Sequence, residues 1–416
     1  MEYNHLDYDY EVELTITNAS SSASESSWSA YSISIIYNDC PTVDVVNATR
    51  LLETEAPIYK YRDEIYMEFF LPFLLCVGVI GNLLFIYVVC SMSTMRTATN
   101  WCLANLAVAD LVFLVVGIGE KLWMYHHSPF INDRLTFGEF GCPIVFAVVD
   151  TSYFAALFMV TLVSMERYYA VCRTQSARTN TRKSMFIALV VLSWIISIGI
   201  AVSFVPASNV NFTGCRVWPD VEPFKNLPMY RSECTSSVGF ESFSLYVNIA
   251  RTIPFFLLIT FNLWMYVCIV KSMTRAVRET RIAGREDINL KQRNQVAGML
   301  MVNGLIFFIC LVPFEIFCIL EAINMVRPEK TPLISGSVTV PLRYASQAMS
   351  YVNNVVNPVV YIGLSKRYRD AFKNAILCRR RVDYNSGIKT RTRSSTTTST
   401  VLSVYVKRPV NVKGTI

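Results

Sequence analysis

Charge is scarce in this 416-residue chain: Asp, Glu, Lys and Arg together make up 17% of it against 53% hydrophobic residues. With a mean hydropathy of +0.36, a chain that could have held two or three soluble domains is instead one solvated largely by lipid. The marks of common enzymes are also missing. No HExxH zinc helix, glycine-rich phosphate loop or paired Cys-x-x-Cys metal site occurs, so no enzyme, metal or cofactor is expected. Of the three histidines, His126 and His127 are adjacent and cannot share a helix face, which fits an interfacial position better than metal binding. No internal repeat is visible, as a transporter with repeated halves would have. No basic segment followed by a short apolar core opens the chain, so the first span, rather than a cleaved signal peptide, is expected to direct membrane entry.

The charge that is present is segregated. Residues 1–65 hold twelve acidic side chains against three basic ones, whereas 172–184 and 364–393 hold fourteen basic against two acidic. The net charge of +7 therefore hides an acidic head and a basic tail. No basic stretch belongs to a soluble folding unit, so anionic lipid heads and a cytosolic protein, not nucleic acid, are the expected partners.

Seven apolar runs are long enough to cross a hydrocarbon core: Tyr66 to Ser91, Thr99 to Tyr125, Gly138 to Val171, Ser184 to Pro206, Phe240 to Val270, Gln295 to Met325 and Val338 to Leu364. Cys142 and Arg167, 25 positions apart in the third run, would stand roughly 37 Å apart along a helix, more than the core thickness of about 30 Å. The fold class expected is an all-α membrane protein, a seven-transmembrane helix bundle. The basic connections Arg173 to Lys183 and Lys271 to Arg293 fall on the same side as the basic tail, which makes that side cytoplasmic and places the N-terminus outside. The three sequons, at Asn18, Asn47 and Asn211, all fall on the outer side, where N-glycans are added.

Cys40, Cys142, Cys215 and Cys234 also fall outside, where disulfides persist. Four cysteines allow three pairings. The favoured one joins Cys142 to Cys234, tying the third span to the loop before the fifth, and leaves Cys40 for Cys215; a free thiol at Cys40 is the alternative.

Ionisable groups within spans cost about 2.5–3.5 kcal/mol to insert and are functional candidates for that reason. Asn82, Asp110 and Asn357, on spans one, two and seven, could meet near mid-membrane and share hydrogen bonds or a sodium ion. Pro254, Pro313 and Pro358 each free a carbonyl mid-helix, and together they imply a movable cytoplasmic half.

Gly81-Asn82, Leu106 to Asp110, Cys142 with Glu166-Arg167-Tyr168, Trp194, Pro254, Phe307 with Cys310 and Pro313, and Asn357-Pro358-Val359-Val360-Tyr361 appear one set per span and in order. This ordered series, across about residues 66–378, resembles the signatures of rhodopsin-like (class A) G-protein-coupled receptors. The resemblance implies that Glu166 restrains Arg167 at rest. On activation Arg167 would be released to meet the C-terminal helix of a Gα subunit, with Tyr361 swinging in and span six pivoting at Pro313. Leu311 stands where the family usually has Trp, Ala156 where a sodium-site Ser is common, and Asn262 where Tyr is common. Arg293 is basic where some relatives carry an acid, so it offers Arg167 no ion pair.

Amine receptors of the family carry Asp where this chain has Val149, and visual pigments carry the retinal Lys where it has Tyr351. The outer half-spans instead offer Glu120, Lys121, Asp150, Arg251, Glu315 and Arg343, with Gln347 and Tyr351 below. Charge of both signs suits an extracellular peptide with a charged or amidated end, the alternative for any one residue being an internal ion pair. Asn211 to Thr235 could form a hairpin lid. The residues around Glu166 and Phe307 resemble neuropeptide receptors of the ghrelin, neuromedin U and thyrotropin-releasing hormone kind, which tilts the expected coupling toward Gq and calcium. A non-peptide ligand, a transporter and a receptor that binds without coupling are the competing readings.

The chain is thus expected to divide into a glycosylated, disordered extracellular tail (1–65), a seven-transmembrane receptor domain (66–364), an amphipathic membrane-surface helix (365–378) and a disordered cytoplasmic Ser/Thr-rich tail (379–416). Cys378, beside three arginines, is a palmitoylation candidate. Phosphorylation of Thr390, Thr392 and Ser394 through Thr400 by a receptor kinase would create dense negative charge for an arrestin. The plasma membrane is the expected location.

Overall fold

The computed structural model describes residues 43–45, 58–59, 61–172, 179–208, 210–217, 227–235, 242–283, 288–327 and 336–377. Asn18, Cys40, Asn47, Cys378 and the Ser/Thr tail lie outside the described residues. The long apolar runs become helices α1 (Leu71–Ser91), α2 (Ala98–His127), α3 (Gly138–Cys172), α4 (Thr179–Phe204), α5 (Ser242–Ile282), α6 (Ile288–Val326) and α7 (Gly336–Leu364), followed by a short α8 (Lys366–Ile376). A helix satisfies its own backbone hydrogen bonds, which a segment surrounded by hydrocarbon must do.

Sequence and structure part company at the helix ends. A π-helical segment, Tyr66–Phe70, leads into α1. On the other side of the bundle α5 runs to Ile282 rather than Val270, and α6 begins at Ile288 rather than Gln295. The added turns of α5 are charged but rich in Lys, Arg, Met and Ala, good helix formers, and Arg275 donates to Glu279 one turn on at 3.0 Å. Hydropathy marks where a helix leaves the membrane, not where it stops being a helix.

Among the described residues six helices are long and apolar enough to cross a membrane by themselves. The seventh, α7, carries Arg343, Gln347, Asn353, Asn354 and Asn357 along its length and closes the bundle by packing on α1, α2 and α6. α3 is the central post, touching α2, α4, α5 and α6. Around it Phe85, Leu106, Phe154, Leu157, Phe307 and Leu311 form one buried core, while Ile80, Ile195, Leu257 and Ile309 are exposed on the outside of the bundle, the face a bilayer would cover.

α8 buries Tyr368, Ala371, Phe372 and Ala375 and carries Lys366, Arg367, Arg369 and Lys373 around them. Arg369 donates to the carbonyls of Ile362 (3.0 Å) and Gly363 (2.8 Å), satisfying acceptors that the end of α7 would otherwise leave open.

On the opposite side the loop before α5 forms the expected hairpin. β2 (Val210–Val217) and β3 (Tyr230–Thr235) pair antiparallel, with Asn211 opposite Cys234. Cys142, near the start of α3, is disulfide-bonded to Cys234, and a second seam joins the Arg134 amide to the Ser232 carbonyl at 2.9 Å. A third strand, β1 (Val43–Val45), adds parallel to β2 with Val43 opposite Cys215. Strand pairing so close to the N-terminal tail was not anticipated from the sequence; the Cys40–Cys215 pairing lies outside the described residues.

One close approach inside the bundle gives a direct test. The Tyr266 hydroxyl sits 2.9 Å from Ser164 Oγ, bridging α5 to α3, and a methyl added at Gly304 on α6 would fall 1.9 Å from that hydroxyl. Gly304→Ala is therefore expected to cost about 1–3 kcal/mol through overpacking. Gly298→Ala, whose added methyl meets nothing within 4 Å, should be neutral or slightly stabilising. Thermal unfolding of the detergent-purified protein separates the two.

Candidate functional site

Beneath the hairpin a cavity of about 610 Å³ opens between the outer halves of α2, α3, α5, α6 and α7. Glu120, Lys121, Asp150, Arg251, Arg343, Gln347 and Tyr351 all line it, although they come from four helices far apart in sequence. Most of the charge is organised into pairs. Arg251 on α5 is salt-bridged to Asp150 on α3 and lies 5.6 Å from the ring centre of Phe314 and 5.9 Å from that of Phe204. Arg134, from the turn between α2 and α3, holds Glu120 through Nε at 2.9 Å and again through Nη2, with its guanidinium 4.5 Å from the Phe146 ring centre. Higher up, Arg231 pairs with Glu233 on β3 at 2.7 Å. For Glu120, Asp150 and Arg251 the internal ion pair is what the structure contains.

Lys121 and Arg343 are arranged differently. Lys121 Nζ donates to Asn132 Oδ1 at 3.2 Å, and Arg343 lies 5.2 Å from the Phe317 ring centre. Val149 presents only methyls to the cavity where an amine anchor would need a carboxylate. Glu315 departs from expectation: it does not line the cavity but is fully buried, accepting a hydrogen bond from the Tyr153 hydroxyl. Tyr351 marks the floor, donating to the Gly117 carbonyl at 3.3 Å.

Below the floor the polar residues hold the helices together. Asn357 Nδ2 donates to Asp110 Oδ2 at 2.7 Å, linking α7 to α2. Asn82 does not join that pair directly. Its amide donates to the carbonyls of Gly78 and Asn354, both at 2.9 Å, so α1 is tied to the α7 backbone instead. Asp110 Oδ1 has no partner in the protein, but Ala156 adds a methyl and no oxygen, so the residues present fit hydrogen bonding better than sodium coordination. Leu311 is 2% exposed and packs with Phe307 and Phe308. Its aliphatic side chain fills the core where the family's usual Trp would bring a ring and an N–H donor.

At the far end Glu166 and Arg167 form a closed triangle with Thr99 of α2. The Thr99 hydroxyl donates to Glu166 Oε2 at 2.8 Å, Arg167 Nε donates to the same oxygen at 2.5 Å, and Arg167 Nη2 reaches the Thr99 hydroxyl. Tyr168 turns away, its ring 5.5 Å from Trp264 on α5. Tyr361 is buried between Phe85 (5.1 Å) and Tyr368 of α8 (5.7 Å), and the Tyr368 hydroxyl donates to Asn100 Oδ1 at 2.6 Å. Pro313 and Pro358 both lie inside their helices. Pro358 packs close to Gly81, where an added methyl would meet its ring at 3.4 Å.

Sequence reading overlooked Arg134, Tyr153 and Thr99. Arg134 lies in the connection between α2 and α3, where an ionisable side chain costs nothing and so carries no signal. Tyr153, one turn below Val149 on the cavity face of α3, was within reach of a helical-face argument. Nothing in the sequence marks Thr99, whose position against Glu166 depends on the relative register of α2 and α3.

Comparison with known proteins agrees with this architecture. The family described as "7 transmembrane receptor (rhodopsin family)" matches residues 81–361. Neuromedin-U receptor 2 of Rattus norvegicus is 27% identical over 303 residues, 72% of each chain. Allatostatin-A receptor of Bombyx mori is 27% identical over 339 residues, covering 80% of this chain and 84% of that one. Somatostatin receptor type 2 of Mus musculus is 27% identical over 322 residues, covering 74% and 76% respectively.

The Asp150–Arg251 pair has both side chains at most 15% exposed. Removing one partner leaves the other charge buried and alone, at about 3–5 kcal/mol. Arg251→Gln and Asp150→Asn should each lower the thermal midpoint of the purified protein sharply, while the double variant should lose clearly less than the sum of the two.

Proposed function

This chain belongs to the rhodopsin family of seven-transmembrane receptors, and we propose that it is a plasma-membrane receptor for an extracellular neuropeptide, coupled to heterotrimeric G protein of the Gq class and hence to calcium release. The observation that carries the ligand class is the cavity itself. Its wall bears charges of both signs, its amine-anchor position is Val149, and a disulfide-held hairpin covers its mouth. The names of the similar receptors, for neuromedin U, allatostatin A and somatostatin, point the same way.

Agonist binds the active arrangement more tightly than the resting one and shifts the population toward it. In this reading Glu166 and Thr99 hold Arg167 at rest. Activation pivots α6 at Pro313, straightens the contact of α7 around Asn357 and Pro358, and brings Tyr361 toward the freed Arg167, which then meets the Gα C-terminal helix. Tyr168 acts by holding α3 to α5. Bound G protein in turn tightens agonist binding, because the coupling is reciprocal. The N-terminus faces outward and carries glycans at Asn18 and Asn47, with a third at Asn211. Cys40 bonds Cys215. The C-terminus is cytoplasmic, anchored by palmitoyl at Cys378 and by α8 on the lipid surface, and its Ser/Thr tract is phosphorylated by a receptor kinase and read by an arrestin.

A calcium-flux screen of expressed receptor against a neuropeptide library tests the ligand class and coupling together. A response to a peptide is expected; silence to all peptides with a response to an amine or lipid would overturn the ligand class. Arg167→Ala should abolish agonist-driven nucleotide exchange on Gα while surface display persists. Thr99→Ala removes one hydrogen-bonding group, worth about 1 kcal/mol, from the resting triangle. It should raise agonist-independent exchange roughly fivefold.

A further inference from the structure

We propose that the ligand brings a carboxylate into this cavity, as a free C-terminus or an acidic side chain, and that it lodges between Lys121 and Arg343. The proposal rests on the peptide reading above and refines it. Five cations and three acids line the cavity, and each acid already has an arginine bonded to it. Lys121 and Arg343 are the two cations left over: among the described residues neither has a salt-bridged acid partner.

Their settings leave donors available. An ammonium has three N–H donors, and the one hydrogen bond described for Lys121 goes to Asn132 Oδ1. Asn132 itself has φ 59°, the left-handed region that asparagine tolerates better than most residues, so the turn presents this side chain at the cavity wall. Arg343 rests its guanidinium against the Phe317 ring at 5.2 Å, which steadies the plane and leaves its edge free for a two-pronged contact with a carboxylate. Lys121 feels the attraction of its neighbour Glu120, a carboxylate that Arg134 already holds, and against it the repulsion of Arg134 and Arg343. Lys121 and Arg343 stand on α2 and α7, whereas the Asp150–Arg251 pair joins α3 to α5.

Two unneutralised cations raise the potential of a partly enclosed cavity, and water does not fully screen a charge there. A carboxylate entering between them relieves their repulsion and completes their hydrogen bonding. An amidated end offers them no charge, and a cationic end adds to the excess. The pairing of every acid on the wall therefore selects the sign of the ligand group, which a mere mixture of charges does not.

The test uses receptor-expressing membranes with Gα subunits of every class and agonist-driven nucleotide exchange as readout. Short synthetic peptides found active are remade in three forms: C-terminal acid, carboxamide, and carboxamide ending in Glu. At least one anionic form should be about tenfold more potent than the plain carboxamide; the acid form leading assigns the main-chain carboxylate, and the Glu form leading assigns a side chain. Lys121→Gln and Arg343→Gln should each erase most of that preference at normal surface display, and Lys121→Arg should keep it. A plain carboxamide as potent as both anionic forms, or a preference unchanged in both Gln variants, would overturn the proposal. If no peptide in any form is active while an amine or lipid is, the peptide reading fails as well, and that positive response distinguishes the case.

Discussion

The hydrocarbon core of a bilayer contains no water to accept a stray hydrogen bond, so every backbone polar group inside it must find a partner within the protein, and polar side chains there gain by finding one too. That requirement makes the spans helical, and it also dictates how the helices meet. Asn357 reaches Asp110, Asn82 reaches the Asn354 carbonyl, Asn262 donates to Thr161 at 3.0 Å and Trp194 to Asn105 at 3.2 Å. Each of these bonds joins different helices. Polar side chains inside the bundle thus register one helix against the next more selectively than the aliphatic packing around them, which is non-directional. The charged cavity and the Glu166–Arg167–Thr99 triangle obey the same rule at the two ends, where the alternative partner is a ligand or another protein.

The two ends differ in how their charges are satisfied. At the end away from the cavity one acid, one arginine and one hydroxyl close on themselves. At the cavity end three acids are each matched by an arginine, with two cations in excess. A closed set favours the conformation in which it forms. An open one favours whatever arrives to complete it, so the bundle has a restraint at one end and a receptive field at the other.

The spans were legible because hydropathy depends on local composition, and even α7 showed as the apolar run Val338 to Leu364, although its polar content leaves it less apolar than the other six. Topology narrowed the Cys142–Cys234 bond to the favoured one of three pairings, and the hairpin was an expectation drawn from likeness to peptide receptors. Pairing was harder to read. That Asp150 meets Arg251, or Glu120 meets Arg134, depends on how helices rotate against one another, and no single helix encodes that. Glu315 illustrates the limit: its charge suggested a ligand contact, but one turn of α6 carries it behind Tyr153. β1 was missed for a related reason, since three residues carry too little alternation to announce a strand.

The composition of α7 bears on how the molecule is made. Helices that can each enter a bilayer alone can be released one at a time during synthesis, but α7 gains most of its compatibility with the membrane from partners on α1, α2 and α6. Its residence there is a property of the assembled bundle. The last of these spans to emerge from the ribosome therefore closes the fold, and a chain halted before Gly336 would hold its other helices in the membrane with Asp110 and Asn82 still waiting for their hydrogen-bond partners on α7.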